Sequence, residues 1–422
     1  MRLDPFSIQY STRPTATWQR ILAAGPRVGY DDQLQAWLIA GHDNVHTVLA
    51  DTGRFSNTAT LLPMMPVSAA AGAVLAGLTA PPVLVTADPP QHQRIRRIVR
   101  DFFPNTPATA ERRWGALVRA RVDEQLAELA GRTEVDLMDV AVWLPLQVVV
   151  DVLGLPIGTS PLRAWTDQFA ALVWGNPSPE QQLAGAHGAV ALWQYCTHVV
   201  TGHAVSGNPG RGLIGDLLAY RDGDDARLTV DEVAAIILNI FGAGWETVSA
   251  ALGHALFHAL REPDRWARLA HDEAYLAAHV EETLRHSPAI DGWLRLTRDE
   301  VVLDGVTIPA GARCLVLIGT AGHDPAVFPE PYVFDPGRER LSQHVAFGAG
   351  PHYCLGAALA RLELTTTLRE LARRLPQLTL HSGHQRWFKP SAGLRQDITL
   401  PAGTGATGRC PVAHPATPGA QR

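Results

Sequence analysis

Cys354 is set in Phe347–Gly356, FGAGPHYCLG, between a glycine-rich turn and an apolar run, Leu355–Leu375, that predicts a helix. Gly348 and Gly350 permit positive φ and let backbone pass close to a large flat ligand. Pro351 stiffens the turn. At a helix start, unpaired backbone N–H groups and the positive end of the dipole favour a thiolate, the form of cysteine that binds metal. A lone buried cysteine usually serves as a small apolar residue. Core packing, however, has no use for two glycines, a proline and a histidine, His352, around it.

Three other groups carry chemistry. The stretch Thr229–Arg261 has Gly242-Ala243-Gly244-Trp245-Glu246-Thr247 at its middle. Two mid-helix glycines cost about 1 kcal/mol each against alanine, and a buried Glu costs more unless it is paired. Local rules broken inside an apolar helix point to a functional site. An acid beside a hydroxyl suits proton relay. Asp88–Phe103 (DPPQHQRIRRIVRDFF) turns basic and helical, with His92 and Arg96 four apart on one face. Two such donors suit an anion, although the segment alone reads equally as a solvated basic face, with Arg94, Arg97 and Arg100 as surface charges. Glu282 and Arg285, three apart on the helix Asp272–His286, pair on one face; that spacing alone says little.

These residues need a large, mostly helical frame. Thr229 with Glu232 makes a capping box, and Pro263 ends the run. Its length and apolarity suit a membrane span, but Asn239, Glu246, Thr247, His254 and His258 favour a buried central helix. Val135–Leu155 reads as a second buried helix, closed by Gly154 and Pro156. Pro161–Tyr220 reads as helices broken at residues 175–179 and 207–212. Gln35–Ala40 and Val301–Leu317 read as strands. Leu61–Ala87 is apolar yet rich in Pro, Gly and Ala, so it reads as loop with short helical pieces covering something. Residues 403–422 are Gly/Pro/Ala/Thr-rich and aperiodic and read as a disordered tail containing an exposed Cys410.

Composition narrows the class. The chain has 422 residues, 46% hydrophobic and 18% charged, with net charge −5, which is ordinary for a globular protein. Without a basic tract there is no case for a nucleic-acid partner. Cys196, Cys314, Cys354 and Cys410 form no CxxC pair and no disulfide framework, which fits a reducing cytoplasm. The first residues, MRLDPFSIQYSTRPT, carry no apolar leader and no membrane anchor.

The loop FGAGPHYCLG resembles the haem-binding loop of the cytochrome P-450 superfamily, FGxGxHxCxG, at Phe347, Gly348, Gly350, His352, Cys354 and Gly356. Three further stretches resemble that family in the expected order: DPPxHxxxR at His92 and Arg96, AGx[ED]T at Ala243–Thr247, and ExxR at Glu282 and Arg285. The resemblance spans about residues 4–400 and implies a mainly α fold with a smaller β-rich part, a single catalytic domain over residues 1–402. It implies that Cys354 is the axial thiolate of haem b and that Phe347 packs by the sulfur. His92, Arg96, Arg295 and His352 would hold haem propionates. Ala243 and Gly244 would border the haem, Thr247 would assist oxygen activation, and Glu246 would belong to the proton path. Arg338, or else Arg340, would complete a structural triad with Glu282 and Arg285.

Leu61, Leu62, Met64, Met65, Trp174, Trp245, Ile290, Asp291, Trp293 and Ala392 are candidate pocket residues, with core packing as the alternative for each. The activity implied is that of a soluble, cytoplasmic, monomeric monooxygenase of secondary metabolism. It would insert one oxygen atom of O2 into a mid-sized apolar substrate. Electrons would come from NAD(P)H through ferredoxin and ferredoxin reductase, docked near Arg97, Arg100, Arg112 and Arg113. Oxidative coupling of aromatic rings on the same fold, and a haem-thiolate sensor without turnover, remain as alternatives.

Overall fold

A computed structural model of the chain describes residues 1–156, 160–208 and 210–405. The helices that matter here are α1 (Ala69–Ala76), α2 (Gln91–Arg100), α3 (Pro107–Leu129), α4 (Leu137–Leu153), α5 (Ser160–Trp174), α6 (Pro179–Ser206), α7 (Val230–Leu260), α8 (Glu273–His286) and α9 (Ala357–Arg374). The expected mainly helical fold is what forms.

Helix α7 runs through the middle and packs against α4, α6, α8 and α9. Its start is the capping box read from sequence: Thr229 Oγ1 accepts from the Glu232 N–H at 3.0 Å, and Glu232 Oε2 accepts from the Thr229 N–H at 3.0 Å. Among the described residues α7 is the one helix long and apolar enough to cross a membrane. Ile236, Ile237, Phe241, Leu252 and Leu256 are instead buried against other helices, so protein provides its apolar surroundings.

The β-rich part is a five-stranded sheet in the order β1 (Val28–Asp31), β2 (Ala36–Ile39), β5 (Arg313–Leu317), β4 (Gly292–Thr297), β3 (Phe55–Ser56). Strands β4 and β5 are antiparallel with Arg295 opposite Cys314, and this register turns Arg295 inward. Residues 403–405, expected from composition to lie in a disordered tail, are part of the described structure, and residues 406–422 lie outside it. Gly403 pairs with Glu134 and Thr379, and Thr404 donates its N–H to the Thr133 carbonyl at 3.0 Å. Backbone pairing there overrides a composition that favours disorder. Cys410 lies outside the described residues.

Glu282 and Arg285 form a bidentate pair at 2.7 Å for both bonds. The Arg338 Nε stands 3.6 Å from Glu282, and its guanidinium donates to the Glu330 and Val333 carbonyls at 3.1 and 2.9 Å. Arg340 is exposed, in a left-handed turn. Arg338 is therefore the arginine at this pair. Such a buried cluster fixes one arrangement of the chain more than it adds stability.

Beside it lies a group of buried histidines that the sequence did not suggest. His254 donates to the Ser287 carbonyl at 2.7 Å, while the Ser287 hydroxyl contacts His258 at 2.9 Å and His286 at 3.0 Å. His279 donates to the Ala255 carbonyl and His323 to that of Gly319. Burial chiefly holds all five below the usual histidine range, His279 at about 4 and His286 at about 3. The unfolded chain therefore binds more protons once the pH falls past about 6.5, and stability is lost from there toward the folded values. Burial also pushes Glu246, Asp291 and Glu363 up, and these protonate first in the folded chain, with the opposite effect. His92 and His352 are lowered as well, so seven histidines stand against three carboxyls and the net is a loss. Urea denaturation is expected to show a lower midpoint at about pH 5.5 than at about pH 7. The difference should narrow in a His279→Gln/His286→Gln variant; a midpoint that rises on acidification would refute this account.

Candidate functional site

The Cys354 loop closes on itself. Gly348 and Gly350 have φ of 76° and 65°, and a Cβ on Gly350 would meet the Ala50 backbone at 2.6 Å. The Cys354 N–H donates to the Phe347 carbonyl at 2.8 Å. Helix α9 starts at Ala357 with Gly356 as its cap, later than the apolar run predicts, so Cys354 lies just before the first turn. Burial pushes the thiol above its usual range; the Gly356 N–H and the Arg96 and Arg361 charges pull it back only in part. The helix start alone therefore does not make the thiolate expected from the sequence. A buried sulfur needs a direct positive partner, and a bound metal ion is one.

Next to the loop is a set of donors with few acceptors among them. His92 is 2% exposed, and neither of its ring nitrogens has a hydrogen-bond partner among the described residues. Its ring stacks on His352 at 3.8 Å, and His352 Nε2 is equally unpartnered. Arg96 donates to the Tyr353 carbonyl at 2.5 Å. Arg295 donates to Thr60 Oγ1 at 3.1 Å and to the Leu294 carbonyl at 2.8 Å. Burial lowers the Arg295 guanidinium to about 10. Burial, with the neighbouring His92, Arg295 and Arg96 charges, lowers His352 to about 3. Buried donors that repel one another are costly unless an anion joins them. The two carboxylates of a haem fit these four side chains, and the thiol fits its iron. Arg94 is no free surface charge: it pairs with Glu232 and donates to the Arg227 carbonyl at 3.0 Å, tying α2 to the start of α7. Arg97 and Arg100 are exposed.

In the middle of α7, Ala243 is exposed and Gly242, Gly244 and Thr247 are half-buried, as are residues 238–240, whereas residues 232–237 and 248–256 are buried. The helix is unbroken there, so the two glycines do not interrupt it. Gly244 serves close approach instead, since a Cβ on it would meet Val149 of α4 at 2.8 Å. The Thr247 hydroxyl donates to the Ala243 carbonyl at 2.8 Å. Glu246 is 3% exposed, and burial with the Asp167 charge raises it to about 8 against the opposing pull of Lys389. It is thus a neutral acid at pH 7. Trp245 is buried in the main core, about 200° around the helix from Ala243. This corrects its candidacy for the pocket.

The remaining pocket candidates divide. Trp174, at the end of α5, meets Trp293 edge-on at 5.8 Å and accepts from the Ala392 N–H at 2.8 Å through its carbonyl. A Cβ on Gly393 would strike the Trp174 ring at 2.6 Å. Leu61 and Met65 are half-buried, and Leu62 is exposed. Met64 is taken up by the N-terminal core with Leu3, Tyr10 and Trp18, where Ala392 also packs. The Asp291 carboxylate accepts from the Tyr10 hydroxyl at 3.0 Å and faces Arg395 at 3.7 Å. Ile290 is bridged to Leu394. Met64, Asp291 and Ala392 are therefore core residues: Met64 because an apolar loop must bury part of itself, Ala392 by packing in the same cluster, and Asp291 because Tyr10 and Arg395 hold it.

Gln182, which the sequence did not single out, joins the segments around the site. Its side chain accepts from the Ser68 N–H at 2.7 Å and donates to the Pro66 and Pro177 carbonyls at 3.2 and 3.3 Å. The Met64 N–H donates to the Val173 carbonyl at 2.7 Å beside it. A lone Gln in the first turn of a helix gives no sequence signal.

Anion-seeking donors beside a half-buried thiol, together with a neutral acid and a hydroxyl in the middle of α7, fit a haem-thiolate oxidoreductase. Residues 205–390 match the family model "Cytochrome P450". The chain is 33% identical over 404 residues to cytochrome P450 monooxygenase PikC of Streptomyces venezuelae, covering 93% of this chain and 91% of that protein. It is 30% identical to 6-deoxyerythronolide B hydroxylase of Saccharopolyspora erythraea, over 82% of this chain and 84% of that one. A solved structure of cytochrome P450 CREJ in complex with (4-ethylphenyl) dihydrogen phosphate superposes with a TM-score of 0.87 at 29% identity, over 94% of this chain and 98% of that one. The chain belongs to the cytochrome P450 family and is a monooxygenase-type oxidoreductase.

Two outcomes test the geometry. A His92→Ala/Arg96→Ala variant is expected to lose haem faster than the parent when apomyoglobin is present as acceptor; equal rates would make α2 merely a charged surface. Gln182→Ala is expected to speed both binding and release of any ligand that shifts the haem spectrum, with the reduced carbon-monoxide band unchanged, as read by stopped flow.

Proposed function

We propose that this chain inserts one oxygen atom from O2 into a C–H or C=C bond of a mid-sized apolar, natural-product-like molecule. Haem b, bound through Cys354 and held by His92, Arg96, Arg295 and His352, supplies the oxygen-activating redox chemistry when present. The supporting observation is the neutral, buried Glu246 next to Thr247, on the helix that leaves Ala243 uncovered. Glu246 holds a proton at neutral pH because burial disfavours its charge. The Thr247 hydroxyl directs its single proton to the Ala243 carbonyl and keeps its lone pairs free to accept from a donor; to pass a proton on it must turn its O–H away from that carbonyl. Trp174 and Trp293 offer a flat apolar wall for substrate, and Leu61 and Met65 a second one.

Electrons come from NAD(P)H through a ferredoxin and its reductase in this reading. Its support is the exposed Arg97, Arg100 and Arg112, with a cavity of about 490 Å³ lined by Arg100, Phe102, Phe103 and Arg112. Exposed cations draw an acidic carrier protein and set its approach rate. The same reading places the protein in the cytoplasm as a monomer. The names of PikC and of 6-deoxyerythronolide B hydroxylase support oxygen insertion over the alternatives. The Trp174–Trp293 pair favours, as a second reading, oxidative coupling of an aromatic substrate stacked on it.

Compounds that shift the haem spin state identify a substrate, and 18O2 then shows whether the product gains oxygen. With that substrate, Thr247→Ala is expected to consume NAD(P)H with less product and more hydrogen peroxide. Glu246→Gln should turn over ~100-fold to 10,000-fold more slowly, the usual share of general acid–base catalysis. Parent activity should fall as the pH rises through about 8, where Glu246 loses its proton, and Glu246→Gln should lack that limb. An unchanged ratio of product to NAD(P)H in Thr247→Ala moves the coupling reading ahead.

A further inference from the structure

Glu281 and Glu282 are neighbours on α8 with different partners. Glu282 goes to Arg285. Glu281 accepts two bonds from Arg361 of α9, from Nε at 2.6 Å and from a terminal nitrogen at 2.9 Å. The same carboxylate accepts from His344 Nε2 at 3.0 Å. Burial pushes Glu281 up, but Arg361 and His344 outweigh it and hold it at about 2. It is an anion across the whole working range.

Both partners of Glu281 flank the residue that opens the thiol loop. The Arg361 guanidinium lies over the Phe347 ring at 4.5 Å, and the His344 ring is 6.1 Å from it. His344 Nδ1 also accepts from the Ala346 N–H at 3.2 Å. Phe347 in turn accepts the Cys354 N–H through its carbonyl at 2.8 Å. Arg361 is in the second turn of α9, whose first residue, Ala357, follows Cys354 by three. One carboxylate therefore fixes a cation near the sulfur and balances most of that cation's charge.

We propose that Glu281 is a positioning residue for the Cys354 ligand: by holding Arg361 and His344 against Phe347, it limits the positive field at the sulfur and so sets the reduction potential of the bound haem. The inference rests on Cys354 being the haem ligand. An unbalanced cation beside the sulfur draws electron density from it and favours the reduced metal; an unbalanced anion does the reverse.

The test is a charge cycle read by spectroelectrochemical titration of the haem-loaded protein. Glu281→Gln leaves Arg361 unbalanced and is expected to raise the midpoint potential. Arg361→Gln leaves Glu281 unbalanced and is expected to lower it. The Glu281→Gln/Arg361→Gln protein should return toward the parent, and Arg361→Lys, which keeps the charge, should lie nearer the parent than Arg361→Gln. A merely structural pair would weaken haem retention in both single variants without opposite shifts, and shifts of one sign, or none, overturn the proposal. If Glu281→Gln does not fold, the contrast between Arg361→Gln and Arg361→Lys decides it alone. The reduced carbon-monoxide spectrum separates the two levels. A parent without the red-shifted Soret band refutes Cys354 as ligand, whereas a parent with the band and an unmoved Glu281→Gln potential refutes only the role of Glu281.

Discussion

The fold depends on balancing charge that has been taken out of water. A buried thiolate is costly, and the thiol of Cys354 resists ionisation because burial outweighs the Gly356 N–H and two nearby arginines. The donors around it, His92, Arg96, Arg295 and His352, have the opposite excess, with too few acceptors within reach. Each half is unfavourable alone. A haem, with an iron for the sulfur and two carboxylates for the donors, satisfies both at once. Its binding is therefore part of the stability of the surrounding structure as well as the source of the chemistry.

Helix α7 faces a related conflict. It must be apolar to fill the centre of a large helical core, yet it must present an acid and a hydroxyl. The helix meets both demands by angle. Ala243 and Thr247 share the uncovered face, while Trp245 turns into the core about 200° from Ala243. Gly244 is needed because Val149 of α4 comes too close for a Cβ. Glu246 stays neutral, so its burial carries the cost of a hydrogen-bonding group and not that of a charge.

What was legible in the sequence was what broke a local rule. An acid inside an apolar helix, or a cysteine amid Gly, Pro and His, is not what packing alone would select and so announces a site, whereas Gly244 proved to answer to packing against Val149. The capping box of α7 also follows from local pattern, whereas Arg295 was named only through the family resemblance and its inward register came from the sheet. What escaped were contacts whose partners lie far apart in the chain and whose residues look ordinary singly. Arg94 seemed a surface charge until Glu232 was found beside it. Gln182 and Glu281 gave no sign because a polar residue in a helix reads as solvated, and Ser68 or Arg361 reaches them only through the fold. Asp291 and Met64 misled in the other direction: their place before known motifs suggested the pocket, but Tyr10, Trp18 and Arg395 claim them for the core.

The N-terminal segment then has a bearing on substrate that its sequence does not show. Tyr10 joins the Trp18 indole N–H, at 3.2 Å, to the Asp291 carboxylate. Asp291 also donates its backbone N–H to the Gly393 carbonyl at 2.6 Å, and Gly393 lies against Trp174. Strand β4, which follows Asp291, carries both Trp293 and Arg295. The aromatic wall and a propionate donor thus rest on one short strand whose start is held by a buried, hydrogen-bonded carboxyl. Rigid support of this kind gives precise placement. The opposite wall is held by the few bonds of Gln182 and by the small apolar contact of α1 with α5 and α6. The strand that carries Arg295 is therefore held by a sheet ladder, and the Ser68–Gln182 side by side-chain bonds and a small apolar cluster.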